Sequence, residues 1–492
     1  MDQEFLRQIP HKIDSAIRLV SFNVNGIKTL FNYHPWNTFN QDLNLLFNCL
    51  HGDIITLQEL KVTQASLGDI KNIAHLNNFR SFISIPKTRK GYSGVGVFVR
   101  VPTSSHLESV AHALTVVKAE EGISGYLSSP SKNGCCYRDL PDDESIGGYP
   151  EDLQQELGLN LDCEGRCVVV ELACNTVIFS VYCPANSMAT EEGEVFRLEF
   201  LTNLFTRAKN LHAKGKHVVV MGDINVSLDL IDNAEGIQDR LGQDLIKLRP
   251  TGKVFETVNF EECIKFKSSK PSRSLLNKYV LPTIDVNVDK TLNLDISHPN
   301  QFLHDTTRLV QNRRMNMYTV WNTLKDNRRA NIGSRIDLIL STKFLSTKID
   351  QADIWPFILG SDHCPVFTDF KVDDEWNIKL ELPTIPKNNF EAKYFYKLTK
   401  PQDIFAMFTS KRKSNTVVES EQLISNKESG TVQGESKSSS ESLSESSSIP
   451  SQTNADESIK ITKKRKLQYI SRKAKKPTVD QQPINNFFLP KT

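Results

Sequence analysis

The sequence is short of several things. Its nine cysteines are odd in number and scattered from Cys49 to Cys364. That usage excludes a disulfide scaffold and suits reduced thiols in the cytosol or nucleus. Cys163 and Cys167 are spaced like half a zinc site, but no second pair lies nearby, so they read as structural. Long apolar runs are missing: none approaches the roughly 20 residues that a membrane span needs. The N-terminus, MDQEFLRQIPHKIDSAIRLV, has neither the charged nor the apolar region of a secretory signal. A soluble intracellular protein with no membrane contact is therefore expected. Net charge is only +2, which excludes a global basic field, so any contact with nucleic acid must come from local patches. Aromatic residues are absent from Thr409 to Gln468, where serine dominates. Such a stretch buries too little apolar surface to offset chain entropy and is expected to be disordered.

What is present is concentrated before residue 385. Apolar runs at Ile17–Val24, Asp53–Leu57, Gly94–Val101, Arg166–Leu172, Thr176–Tyr182, His217–Met221, Ile336–Leu340 and Val366–Phe370 predict strands. Phe39, Leu43, Leu46, Phe47 and Leu50 recur at helical spacing, as do Phe196, Phe200, Leu204, Ala208 and Leu211. Strands outnumber helices, and helices fall between strand pairs. This predicts an α/β fold of two packed sheets with helices outside. Residues 120–160 and 262–300 read as long loops. The expected organisation is a catalytic domain over 1–385, a mostly disordered linker over 386–480, and a short docking peptide over 481–488.

Six short polar motifs sit where buried runs stop: NVNG (Asn23–Gly26), LQE (Leu57–Glu59), YCPAN (Tyr182–Asn186), GDIN (Gly222–Asn225), GSRID (Gly333–Asp337) and SDH (Ser361–His363). Taken singly, each reads as a turn or a cap. Together they place carboxylates, amides, a phenol and an imidazole at strand ends, where α/β enzymes carry their chemistry. These groups suit phosphodiester hydrolysis, which needs a cation, a base for water and donors for the transition state. Glu59 is the best first ligand for magnesium; Asp362 is a second, and Asn25 assists directly or through water. Asp223 is the candidate base, with Asn225 orienting phosphate or water. Asp337 beside His363 makes a carboxylate–imidazole pair that fixes the ring tautomer for donation to a phosphate oxygen. Tyr182 is a further donor.

The C-terminal stretch carries two more signals. Eight basic and no acidic residues fall between Ile461 and Lys476, which reads as a nuclear localisation signal or a basic tail touching nucleic acid. After it, Gln481, Ile484, Phe487 and Phe488 can form one hydrophobic plug on a 3₁₀ turn. This spacing resembles the peptide by which replication and repair proteins dock on the sliding clamp PCNA.

The motifs as a set resemble the exonuclease III family of AP endonucleases, within the endonuclease/exonuclease/phosphatase superfamily. The resemblance covers about residues 15–375 and includes KGYSGVGV (Lys90–Val97), DCEGR (Asp162–Arg166), MYTVW (Met317–Trp321) and SDHCP. The long loops, YCPAN and the docking tail look most like the second eukaryotic branch, its fungal members in particular. The resemblance implies a four-layered α/β sandwich, Mg²⁺ (or Mn²⁺) dependence, and a monomer acting in the nucleus on damaged double-stranded DNA and 3′ termini. The implied activities are cleavage 5′ to an abasic site, 3′-phosphodiesterase and 3′→5′ exonuclease in base excision repair. It implies a site of Asn23, Glu59, Tyr182, Asp223, Asn225, Asp337, Asp362 and His363, with Asn23, Asn25, Asp223, Asn225 and His363 also near the metal. Asp305 and Arg308 look like a structural DxxR element. Asn186, Val320, Trp321 and Ser334 are the expected DNA contacts. Well-known members carry aromatics at the positions of Val320 and Ser334; their loss here implies that 3′-end trimming outweighs incision. Many relatives end in a Cys/His zinc finger, whereas here no Cys follows Cys364 and no His follows His363. Other superfamily phosphodiesterases and an inactive clamp-recruited scaffold remain alternatives.

Overall fold

The computed structural model describes residues 7–70, 72–87, 91–132, 134–284, 298–376 and 388–398. Among them, fourteen strands run in chain order. The first seven are β1 Ala16–Asn23, β2 Ile54–Gln58, β3 Phe79–Ser84, β4 Val95–Arg100, β5 Val116–Glu121, β6 Cys167–Leu172 and β7 Thr176–Tyr182. Then follow β8 His217–Asp223, β9 Leu303–Asp305, β10 Val320–Trp321, β11 Gly333–Ser334, β12 Asp337–Thr342, β13 Ile349–Ile354 and β14 Val366–Lys371. One six-stranded sheet has the order β13-β14-β1-β2-β4-β3, the other β5-β6-β7-β8-β12-β9; β10 and β11 form a separate ribbon.

Alternation along the strands builds four layers. Ile17, Leu19, Ile54 and Val97 of the first sheet meet Val168, Val170, Val219, Met221 and Ile339 of the second in a shared core. The opposite face of the first sheet, with Val20, Phe22, Ile55 and Leu57, is covered by Leu43, Leu46, Phe47 and Leu50 of helix Leu43–Leu50. Val169, Phe179, Val218 and Val220 of the second sheet pack under Phe200, Leu204, Phe205, Ala208 and Leu211 of helix Glu191–Ala213. Strands buried on both faces read as continuous apolar runs, which is why they were visible in the sequence. The expected four-layered sandwich is present. Among the described residues no helix is long and apolar enough to cross a membrane.

Two features position the site. In the first sheet β1 and β2 are parallel, with Asn23 beside Gln58. In the second, β7 and β8 are parallel, with Tyr182 beside Asp223, and β12 sets Asp337 opposite Asp223. β1 and β2 face β8 across the sandwich, so both parallel pairs end at one edge.

The stretch 262–300 differs from its reading as a loop. Helices Phe260–Ser268 and Pro271–Asn277 occupy its first part, and 285–297 lie outside the described residues. Pro271 stands in the first turn, where its missing N–H leaves no helical bond unmade. The stretch 120–160 is irregular up to helix Gln155–Asp162. Beyond the expected boundary at 385, residues 388–398 pack on β3: Tyr396 donates to the Ile83 carbonyl at 2.9 Å, and Arg80 pairs with Glu391 at 3.2 Å.

A buried ion cage anchors the second sheet beneath the site. Asp232 accepts both arms of Arg335 at 2.9 Å and also pairs with Arg308; Arg335 reaches Asp305 at 2.6 Å. None of these side chains is more than 1% exposed. The DxxR element thus does structural work, holding the chain between Ser334 and Asp337. Removing one partner from a buried pair leaves charge without compensation. Asp232→Ala should therefore cost roughly 3–5 kcal/mol in urea unfolding, and a loss below about 1 kcal/mol would contradict this anchoring.

Candidate active site

Three of the candidate side chains sit where a strand gives way to a constrained turn. Asn25, Glu59 and Asn225 adopt φ of 47°, 52° and 57°, the left-handed region that side chains other than glycine and asparagine resist. Glu59 is held there because its carbonyl accepts the Gly26 N–H at 2.8 Å, while Val24 N–H donates to Gln58 at 3.1 Å. Strain of this kind persists where surroundings over-determine it. Gly222 is required for closeness: a Cβ there would lie 2.0 Å from the Val181 carbonyl oxygen. That contact lets β8 deliver Asp223 beside Tyr182.

The centre is a set of acids held by one amide. Asn23 Nδ2 donates to Glu59 Oε1 and to Asp223 Oδ2, each at 2.9 Å. Its Oδ1 accepts the Asn25 N–H at 3.0 Å, which fixes which end of the amide faces the carboxylates. Asp223 Oδ1 accepts the Asn225 N–H at 2.9 Å, and the Asn225 side chain donates to the Cys183 carbonyl at 2.8 Å. His363 Nδ1 donates to Asp337 Oδ2 at 2.8 Å, leaving Nε2 3.9 Å from Asp223 Oδ2. Thr319 Oγ1 accepts the N–H groups of Ile336 and Asp337, tying the ribbon to this pair.

Electrostatics follow from that crowding. Burial, then the charge of Asp337, pushes the Asp223 carboxyl up to about 7. Burial disfavours charge on His363, but Asp337 outweighs it and raises the imidazole to about 10. Burial also opposes ionisation of Glu59, yet hydrogen bonds from Asn23 and Lys61 leave it below the ordinary carboxylate range. Burial and the charges of Glu59 and Asp223 push the Tyr182 phenol well up, so it is a donor at neutral pH.

Ligand atoms of Glu59, Asp223 and His363 lie within 4.8 Å of one another, the only such grouping among the described residues. Asp337 Oδ1 is buried with no hydrogen-bond partner. Asp362 lies one layer out: its Oδ1 accepts from Asn25 Nδ2 at 2.9 Å and from Ser361 Oγ at 3.2 Å. Lys61 pairs with Glu59 at 2.9 Å and also reaches Asn25.

A cleft of about 390 Å³ adjoins the centre, lined by Val320, Trp321, Ser334, Glu235 and Asp362. Trp321 is 3% exposed, with its Nε1 on Asn331 and the Arg328 guanidinium 4.5 Å over its ring, so most of it is wall. Ser334 Oγ accepts from Asn233 at 3.1 Å. Asn186 is not joined to the cluster; its amide nitrogen donates to the Thr190 carbonyl and to Glu194 at the start of helix Glu191–Ala213. Gln481, Ile484, Phe487 and Phe488 lie outside the described residues. Lys61 escaped the sequence reading, and nothing in its spacing two residues after Glu59 sets it apart; Thr319 and Ser361 lie inside the MYTVW and SDH motifs but were given no role of their own.

Residues 20–363 match the endonuclease/exonuclease/phosphatase family. The chain belongs to that family. It is similar to DNA-(apurinic or apyrimidinic site) endonuclease 2 of Saccharomyces cerevisiae, with 45% identity over 412 residues, 81% of this chain and 75% of the relative. The Schizosaccharomyces pombe protein of that name is 33% identical over 73% of this chain and 59% of its own length; the Homo sapiens one is 29% identical over 71% and 59%. Among solved structures, the Xenopus laevis APE2 catalytic domain aligns with a TM-score of 0.54 and 26% identity, covering 77% of this chain and 97% of that domain. Membership of the endonuclease/exonuclease/phosphatase family agrees with the sandwich and with the resemblance read from the motifs.

The imidazole pair has a pH signature. A group raised from 6.5 to about 10 contributes stability that is full below pH 6.5 and lost as pH rises towards 10. Asp223 ionises through the lower part of this range and buried thiols such as Cys183 add to the fall above it, so the share that belongs to His363 is the part that loss of Asp337 removes. With metal chelated, the wild-type denaturation midpoint should fall between pH 7 and 10, whereas Asp337→Asn should flatten that fall. Parallel slopes in the two proteins would contradict the pairing.

Proposed function

We propose that the chain is a DNA-repair phosphodiesterase that cleaves 5′ to abasic sites and trims 3′ termini, with trimming the stronger activity. The observation that carries this is the acidic centre held by Asn23, with a His363–Asp337 donor beside it, in a chain 45% identical to a relative named for abasic-site cleavage.

The donor set fits a hard divalent cation. It is rich in oxygen, the carboxylates repel one another, and one Asp337 oxygen is uncompensated. Mg²⁺ suits these ligands best, and Mn²⁺ can replace it. Glu59 and Asp223 would hold it, with Asn23, Asn25, Asn225 and Asp362 supporting directly or through water. When bound, the cation neutralises phosphate charge and makes the phosphorus open to attack.

The chain's own groups do the rest. Asp223 takes a proton from the attacking water, and the upward push that burial and Asp337 give its carboxyl in the metal-free site favours that uptake. Asn225, pinned by Cys183, orients water or phosphate. Asp337 holds the His363 ring through Nδ1 and favours its charged form, so Nε2–H can donate to a phosphate oxygen. Tyr182 donates from the β7 side. The cleft beside them carries Val320 and Ser334 where resembling enzymes have aromatics, so it offers little stacking to an extruded sugar. A frayed 3′ end needs no extrusion and loses less.

The tail fits recruitment. The basic clusters before residue 476 support nuclear import, and Gln481, Ile484, Phe487 and Phe488 support docking on PCNA.

Matched kinetics on a 3′-blocked primer and an abasic duplex test the reading. Cleavage of both should require Mg²⁺, trimming should be faster, and Asp223→Asn should reduce each by about a hundredfold or more. Undiminished activity in that variant would exclude Asp223 as the base, and faster incision would reverse the preference. For the tail, Phe487→Ala with Phe488→Ala should abolish PCNA binding while short oligonucleotides are still cut at the wild-type rate. Retained binding would remove the docking assignment.

A further inference from the structure

The DCEGR segment (Asp162–Arg166) has no part in the chemistry above, yet it is built with unusual care. Asp162 is buried and accepts the N–H groups of Ile123 and Ser124 at 2.7 and 2.9 Å. Gly165 has φ of 63°, and a Cβ there would lie 2.5 Å from the Ile85 carbonyl carbon. Lys87 N–H donates to the Cys163 carbonyl at 2.9 Å, and Ser93 Oγ donates to Gly165 at 3.3 Å. The turn is therefore locked against the chain on both sides of Lys87–Ser93 before it delivers Arg166.

Arg166 is 3% exposed. Its Nη1 donates to the Tyr182 carbonyl at 3.0 Å, its Nε to Glu164 at 2.7 Å, and its Nη2 to the Tyr92 hydroxyl. The guanidinium carbon lies 4.9 Å from the Tyr182 ring centre and 5.2 Å from that of Tyr92. One planar cation thus grips the backbone of one tyrosine, the hydroxyl of the other and the rings of both. Lysine cannot supply that combination, because its point charge lacks the fork and the flat face.

We propose that Arg166 is a positioning residue that fixes the Tyr182 phenol towards the reacting phosphate and couples it to Tyr92. The proposal rests on the phosphodiesterase reading. The guanidinium therefore supplies the geometry for a donor that acts only in one orientation. Glu164 accepts from Arg166 Nε and balances its charge.

A double-mutant cycle on the full chain tests this, with Mg²⁺ and a 3′-blocked primer. Arg166→Met should lower kcat about tenfold or more, with KM within about twofold. In a Tyr182→Phe background the same change should lower kcat by less than about twofold, because the group it positions is already gone. Arg166→Lys, which keeps the charge, should recover part of the loss, and it replaces Met in the cycle if the Met variant does not fold. Equal losses in both backgrounds, or an unchanged kcat in Arg166→Met, would overturn the clamp. A wild-type chain that cuts the primer while the cycle is additive overturns the clamp alone; one that does not cut overturns the phosphodiesterase reading and the clamp with it.

Discussion

The Asn23 amide between Glu59 and Asp223 is the constraint on which the site depends. Glu59 follows a strand of one sheet and Asp223 ends a strand of the other. Two carboxylates at that separation repel, and burial makes the repulsion larger. A single neutral donor, aimed by its own hydrogen bond from Asn25, closes the gap without adding charge. The sandwich thus joins its two halves at the acidic cluster of Glu59 and Asp223. The raised carboxyl of Asp223, the short Asp337–His363 contact and the unmatched Asp337 oxygen all follow from packing acids at one edge.

The strands that carry the site were legible because they are buried on both faces. Thr176–Tyr182 and His217–Asp223 read as unbroken apolar runs ending in polar motifs, and the motifs are the strand ends. Edge strands were not legible. β13, IDQADI, is half exposed, and β5, VVKAEE, hides two glutamates that find partners far along the chain: Glu120 meets Arg207, and Glu121 meets Ser84. No local pattern announces a charge whose partner lies tens of residues away. The helix Pro271–Asn277 was missed as well, since a proline inside the first helical turn is a matter of register.

Side-chain roles divided along the same line. Glu59 and Asp223, which the structure brings together at strand ends, were named from their motifs. Supporting groups were not. Thr319 serves the site by accepting two backbone N–H groups, and Lys61 by leaning on Glu59 and Asn25. Asn186 sits inside a motif yet spends its amide at a helix start. Proximity in sequence to a functional tyrosine was no guide to where its side chain points.

The packing of residues 388–398 on β3 bears on how the folded part can be isolated. β3 is the outermost strand of its sheet, and an unprotected outer strand offers unpaired backbone groups to any other chain. Glu391 bridges to Phe82 there, and Phe390 lies against the Phe82 ring. A fragment cut just before this segment would keep every reactive group but bare a sticky margin, and would tend to self-associate. The stretch that begins as the root of the tail is thus also a guard that keeps one molecule from adding its sheet to the next.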